Sequence, residues 1–207
     1  MNNVNNINFE AKPLNKIVVK KYNKDKKRFV PTTATFVKLE HENQFDLTAI
    51  SKAAKKWKNS KYIQRIATAS HWMHQIPIKV YALTTQEKNF NKLNYKDILG
   101  FAEMRPDYNI ENFNELYHLQ VKPEARNIDK TLSKKKYMHV GSSILTSLKK
   151  IYKNISLYSA GGSDLDKFYK RNNFISDYAC ETHYYWSSNP LTRLKIYYEN
   201  LCSRLSI

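Results

Sequence analysis

Glycine is scarce in this chain: 207 residues contain four, Gly100, Gly141, Gly161 and Gly162. With so few, each marks a place where the backbone needs an unusual angle or a close approach. Cysteine is scarcer. Cys180 and Cys202 are too few for a disulfide framework or a four-thiolate zinc site. Two free thiols in a reducing cytoplasm are the expectation. No apolar run approaches the roughly 18 residues of a membrane-spanning helix, so no membrane partner is expected. Met1 to Glu10 is Asn-rich and polar, without a basic stretch followed by an apolar one, so no signal peptide is expected. Negative charge is also short: 18 Asp+Glu stand against 35 Lys+Arg, a net charge of +17.

Apolar residues make up 42% and aromatics 13%, enough for a core, which excludes wholesale disorder. The surplus of positive charge has two readings. It suits a polyanion or phosphorylated partner. It equally suits a Lys- and Asn-rich composition with solvated surface lysines, and charge alone does not decide.

No internal repeat or Pro/Gly/Ser linker divides the chain. Residues 1–27 read as a basic polar extension with one edge strand at Ile17-Val18-Val19, and residues 28–207 as one domain. Arg28 to Glu40 reads as a strand. Asp46 can cap a helix carrying Leu47, Ile50, Ala53, Ala54 and Trp57. Asn59 or Ser60 can cap a second, with Ile63, Ile66, Ala67, Ser70 and Met73 on one face. Three strands follow: Pro77 to Thr85, Asp97 to Met104 and Phe113 to Val121. A helix is expected from Val140 to Tyr152 with a buried stripe of Ile144, Leu145, Leu148 and Ile151. Then come a strand at Ile155 to Ser159, a helix at Leu165 to Arg171 and two strands within Phe174 to Trp186. Asn189-Pro190 starts a last helix with an apolar face of Leu191, Leu194, Tyr197, Tyr198 and Leu201. The order is β-α-α-β-β-β-α-β-α-β-β-α, an α/β fold with a mixed, mostly antiparallel sheet flanked by helices.

Chemistry concentrates between Leu116 and Phe174. Lys136 to Leu145 is a basic residue, a tight loop and a helix start. A helix N-terminus offers N–H groups and positive dipole to a phosphate. Gly141 permits close approach, Ser142 and Ser143 add donors, and Lys134, Lys135 and Lys136 add charge.

At this point the sequence resembles the GNAT superfamily of acyl-CoA-dependent N-acyltransferases. Val121-Lys122-Pro123 matches the Val-x-Pro end of the family's fourth strand. Lys136 to Gly141 resembles its pyrophosphate loop, Gln/Arg-x-x-Gly-x-Gly/Ala. Phe168 to Phe174 resembles its Phe-Tyr-x-x-x-Gly-Phe helix. Lys136 replaces the usual Gln or Arg, His139 stands at the first glycine, and Asn173 replaces the glycine before Phe174. The resemblance runs from about Phe29 to Trp186.

What the resemblance implies is an N-acetyltransferase that uses acetyl-CoA. Its primary-amine acceptor would be a small molecule, a protein or an aminoacyl-tRNA. The cofactor would lie along Leu119 and Val121, with its pyrophosphate held by Lys136, His139, Val140, Gly141, Ser142 and Ser143. Tyr169 would protonate the departing thiolate. Glu115, on the strand face shared with Tyr117 and Leu119, resembles a general base, and Glu103 is a second candidate. His118 falls on the opposite face and reads as structural. His71 and His74 lie three apart on a helix, but no carboxylate or thiol stands at a helpful offset, so no metal is expected. Trp57 and Trp72 would pack or shape an acceptor pocket. Both a monomer and a homodimer fit. The competing class is a catalytically inactive GNAT-like basic module that binds nucleic acid or the ribosome.

Overall fold

The computed structural model describes residues 11–39, 44–57, 77–125 and 136–205. The chain divides into two compact units, Met1–Ala102 with Gln120–Ile144 and Glu103–Leu119 with Leu145–Ile207. The expected second helix, with His71, Trp72 and His74, lies outside the described residues.

The first unit starts with a long antiparallel hairpin, β1 (Lys12–Asn23) and β2 (Arg28–Leu39), paired from Lys12↔Lys38 to Asn23↔Arg28 with a register shift between Pro13 and Asn15. Asn23 accepts the Lys26 N–H at 2.9 Å, and Lys27 turns the chain at φ 48°. Residues 12–23 are therefore sheet, not a polar tail carrying one short run. Val19 is fully buried on the inner face, so this strand contributes to the core. The helix α1 (Gln44–Lys56) packs Ala49, Ile50, Ala53 and Ala54 with Trp57 against Val37, Leu39, Ala82 and Phe101. Trp57 stacks on Phe101 at 5.0 Å between ring centroids, so it is a packing residue. Asp46 sits inside the first turn of α1 and is fully buried, so it is not the residue before the helix. β3 (Lys79–Thr84) pairs antiparallel with β2.

β4 (Ile98–Pro106) and β5 (Asn114–Val121) each run from one unit into the other. β6 (Tyr137–Met138), which the sequence did not announce, pairs antiparallel with β1. Hydrogen-bonded order in the first unit is β6-β1-β2-β3-β4-β5. The helix α2 (Val140–Ile151) buries Val140, Ile144, Leu145 and Leu148 as expected, but Ile151 is exposed at its end. Gly100 explains itself by contact. A Cβ there would stand 2.8 Å from the Gln120 carbonyl oxygen and 2.8 Å from the tip of Ile144.

In the second unit the order is β4-β5-β7-β9-β8, with β7 (Asn154–Tyr158), β8 (Ile175–Ser176) and β9 (His183–Ser187). β7–β9 and β8–β9 are antiparallel and β5–β7 is parallel. The helix α3 (Ser163–Arg171) follows Gly161 and Gly162, both at positive φ. It ends at Asn173, whose φ of 59° is the left-handed angle that asparagine tolerates best among residues with a side chain. The mixed, mostly antiparallel sheet with helices is the architecture expected. The last helix, α4 (Pro190–Leu205), starts where Asn189 accepts the Leu191 N–H at 2.9 Å. Its apolar face departs from expectation: Leu191, Leu194, Tyr197, Tyr198 and Leu201 are exposed.

Candidate functional site

In the first unit the candidate cofactor residues gather around β6 and the start of α2. The chain after β5 turns through a short 3-10 helix, Pro123–Ala125. The Lys136 N–H donates to the Glu124 carbonyl at 2.8 Å, and the Lys136 carbonyl accepts the Tyr22 N–H at 2.9 Å. The 3-10 turn and β1 thus hold the backbone of Lys136 from two sides while its side chain stays exposed. Lys20 and Lys21 of β1 stand opposite Met138 and Tyr137, so β1 adds lysines beside the loop. Lys134 and Lys135 lie outside the described residues.

His139 has φ 66°, an angle that glycine adopts freely and an L side chain resists. Its carbonyl accepts the Ser143 N–H at 2.9 Å, which closes the first turn of α2. His139 is therefore the residue from which α2 springs, and its exposed imidazole stands where the family pattern has glycine. The first N–H groups of a helix have no partner within it. In α2 those belong to Val140, Gly141 and Ser142. Val121 is half-buried at the end of β5, and the next N–H, of Lys122, donates to Leu99 at 2.8 Å.

The second unit holds Glu115, Leu119 and Tyr169. Pairing between β5 and β7 consists of Asn114↔Ile155 and Glu115↔Ser156, whereas β5 continues to Val121 and β7 to Tyr158. The two parallel strands begin together and then part. Glu115 is buried and accepts the Arg105 Nε–H at 2.6 Å, and Arg105 lies 3.6 Å over the Tyr117 ring. The sequence suggested apolar flanks for this carboxylate; a guanidinium stands beside it instead. Glu103 is buried too.

Tyr169 is buried between Phe168, Phe174 and Tyr184, with ring centroids 5.2, 5.9 and 5.3 Å away. Burial pushes its phenol up to about 12. Side chains alternate along a strand. Ser156 pairs with Tyr185 and Leu157 with Tyr184, so Glu115 shares the Ser156 and Tyr185 face. Tyr169 packs on the Tyr184 face, the other side of the same sheet.

The Glu115 face carries groups that sequence reasoning missed. His183 is buried, stacked on Tyr158 with centroids 4.0 Å apart. Its Nδ1 is 2.9 Å from the Tyr185 hydroxyl, which donates to Asp177 at 2.9 Å. Its Nε2 is buried without a hydrogen-bond partner among the described residues. Burial pulls the imidazole below its usual range, against an opposing pull from Asp177, Asp107 and Glu115. The Ser156 hydroxyl donates to Asp107. The only available signal was the alternation of His183 and Tyr185 along β9. A cavity of about 480 Å³ in this unit is lined by Asp166, Asp177, Glu181, Lys170 and several hydroxyls.

No family model and no curated protein matches this chain. Solved structures do. A protein of Exiguobacterium sp. 255-15 named as an acetyltransferase is 12% identical, with TM-score 0.49, covering 74% of this chain and 93% of its own. A Chromobacterium violaceum protein named as a GNAT-family acetyltransferase is 11% identical, with TM-score 0.47 and coverage of 86% and 89%. The N-acetyltransferase PseH of Campylobacter jejuni is 16% identical, with TM-score 0.45 and coverage of 74% and 99%. All three carry the name acetyltransferase, one with the GNAT family and one with N-acetyl transfer in its name. The likeness is one of chain course, and no residue role follows from it.

Proposed function

We propose that this chain is a GNAT-type N-acetyltransferase that uses acetyl-CoA as cosubstrate and a primary amine as acceptor, without a metal. The observation that carries the reading is the parting of β5 from β7 after Glu115↔Ser156. A strand that loses its neighbour can pair instead with an extended ligand, and the amide-bearing arm of CoA is one. In this reading Leu119 and Val121 lie along that arm. The N–H groups of Val140, Gly141 and Ser142 take the pyrophosphate, with the Ser143 hydroxyl beside them and charge from Lys136.

The amine nitrogen attacks the thioester carbon. A C–N bond forms, the C–S bond breaks, and CoA leaves as a thiolate that takes the Tyr169 proton. A phenol pushed up to about 12 stays protonated at neutral pH, so its proton is in place when the thiolate forms. The amine gives up its own proton to a base on the opposite face of the sheet, where Glu115 is buried. Acid and base on opposite faces suit a thioester threaded between the parted strands. The carboxylates lining the cavity favour an amine as acceptor. Cys180 and Cys202 are not joined in a disulfide, which suits the cytoplasm.

A melting-temperature series with acetyl-CoA, followed by thiol release against a panel of amines, tests the reading. A cofactor-dependent rise and acceptor-dependent thiol release are expected. A melt that acetyl-CoA leaves unmoved at millimolar concentration overturns it.

A further inference from the structure

The last helix shows its apolar side to solvent. Leu191, Leu194, Tyr198, Leu201 and Leu205 follow one another at spacings of three, four, three and four residues. That is the a/d spacing of a coiled-coil seam. With Tyr197 beside them, these side chains are 53% to 78% exposed. The roll of the helix is fixed from its other side. Asn200 accepts the Tyr178 N–H at 2.9 Å and donates to the Ser176 carbonyl at 3.1 Å. Ile196 and Thr192, one and two turns before Asn200 on its side of the helix, are half-buried. At 100° per residue the Leu194–Tyr198–Leu201–Leu205 row points away from that ridge.

The area is also telling. At roughly 150–200 Å² for a whole Leu or Tyr side chain, the six expose on the order of 700 Å². The largest apolar patch of an ordinary monomer is about 300–600 Å². A stable pair of proteins buries about 800 Å² on each partner. One such seam is nearly a whole half-interface. The stripe is narrow, as in a coiled coil, and is edged by Arg193, Lys195 and Glu199. A seam of this pattern is complementary to another copy of itself.

We propose that α4 is a homodimerisation helix, paired across a two-fold axis with α4 of a second copy of this chain, so that Leu194, Tyr198 and Leu201 form the centre of the interface. The knobs of one seam fill the holes of the other, and the Lys195–Glu199 pair stays at the rim. Because the helix is anchored by Asn200 to the strand β8 and the turn after it, pairing needs no rearrangement within the second unit.

Sedimentation equilibrium of the full chain between about 1 and 100 μM tests this, a range set by the micromolar affinities such an area allows. A reversible dimer is expected. The variant Leu194→Glu/Leu201→Glu should be monomeric throughout, with an unchanged far-ultraviolet circular dichroism spectrum. Lys195→Ala, at the rim, should leave the dimer intact. A wild-type chain that stays monomeric at 100 μM overturns the proposal, as does a double variant that still dimerises. A monomer whose seam binds vesicles of phosphatidylcholine and phosphatidylserine, with binding lost in the double variant, would also overturn it and assign the helix to a membrane surface.

Discussion

Glu115 stands opposite Ser156 in the parallel pairing of β5 with β7, and it is the last pair of that ladder. The carboxylate proposed as the base thus marks the point where the strands separate. The proposed acid, Tyr169, packs against Tyr184 of β9 on the other face of that sheet. Two residues of opposite role are divided by the sheet through which the thioester would pass.

Replacing Tyr169 with Phe removes one hydroxyl and keeps the ring among Phe168, Phe174 and Tyr184. Turnover should fall by about 10²–10⁴-fold, the usual worth of a positioned general acid. Acetyl-CoA affinity measured by calorimetry should stay the same. Equal turnover in parent and variant would take Tyr169 out of the reaction.

Gly141 lies in the first turn of α2, where the pyrophosphate is proposed to rest. Gly141→Val should cost at least about tenfold in CoA affinity by crowding the N–H groups. Valine is tolerated in a helix at a few tenths of a kcal/mol, so the melting temperature should move little. Unchanged affinity in the calorimeter would place the phosphate elsewhere.

His139 holds a left-handed angle with an L side chain, a strain of about 1 kcal/mol. His139→Gly should therefore stabilise the protein by about that amount in urea unfolding, and His139→Val should destabilise it. Loss of stability on introducing glycine would mean the imidazole contributes more than its angle costs.

Burial holds the His183 imidazole below its usual range. Above about pH 6.5 the folded and unfolded chains are both neutral here, and the contribution to stability is whole. As pH falls below that, the unfolded chain takes up a proton which the folded one resists, so stability drops. Melting temperature should decline between about pH 6.5 and 5 in the parent and less steeply in His183→Gln. Parallel slopes would show that other groups govern the acid limb.

The strands, α2, α3 and the capped start of α4 were legible in the sequence because local signals decide them. Pro190 after Asn189, alternation in β5 and the Gly161-Gly162 turn are examples. Asn173 kept the angle of the glycine it replaces, and His139 did the same at a cost. Tertiary context hid the rest. β6 is two residues long and exists because β1 receives it. The twelve-residue span of β1 was masked by its lysines, of which Lys16 and Lys20 stand on the face opposite buried Val19. The roll of α4 was unreadable, because an apolar stripe looks the same whether a core or a second molecule is to cover it. Arg105 beside Glu115 comes from the neighbouring strand, and strand pairing between distant segments is not written in either segment alone.

The pairing of Lys20 with Met138 joins two points more than a hundred residues apart. Contacts of such long sequence separation carry a larger closure entropy than local ones and slow folding. The segment leading into His139 is clamped by the Tyr22 N–H as well. β1 must therefore wait for β6 before the start of α2 is held in place. Competence to bind a phosphorylated cofactor would then arrive late in folding, and a nick or slip in the opening strand would be felt at the far end of the sequence.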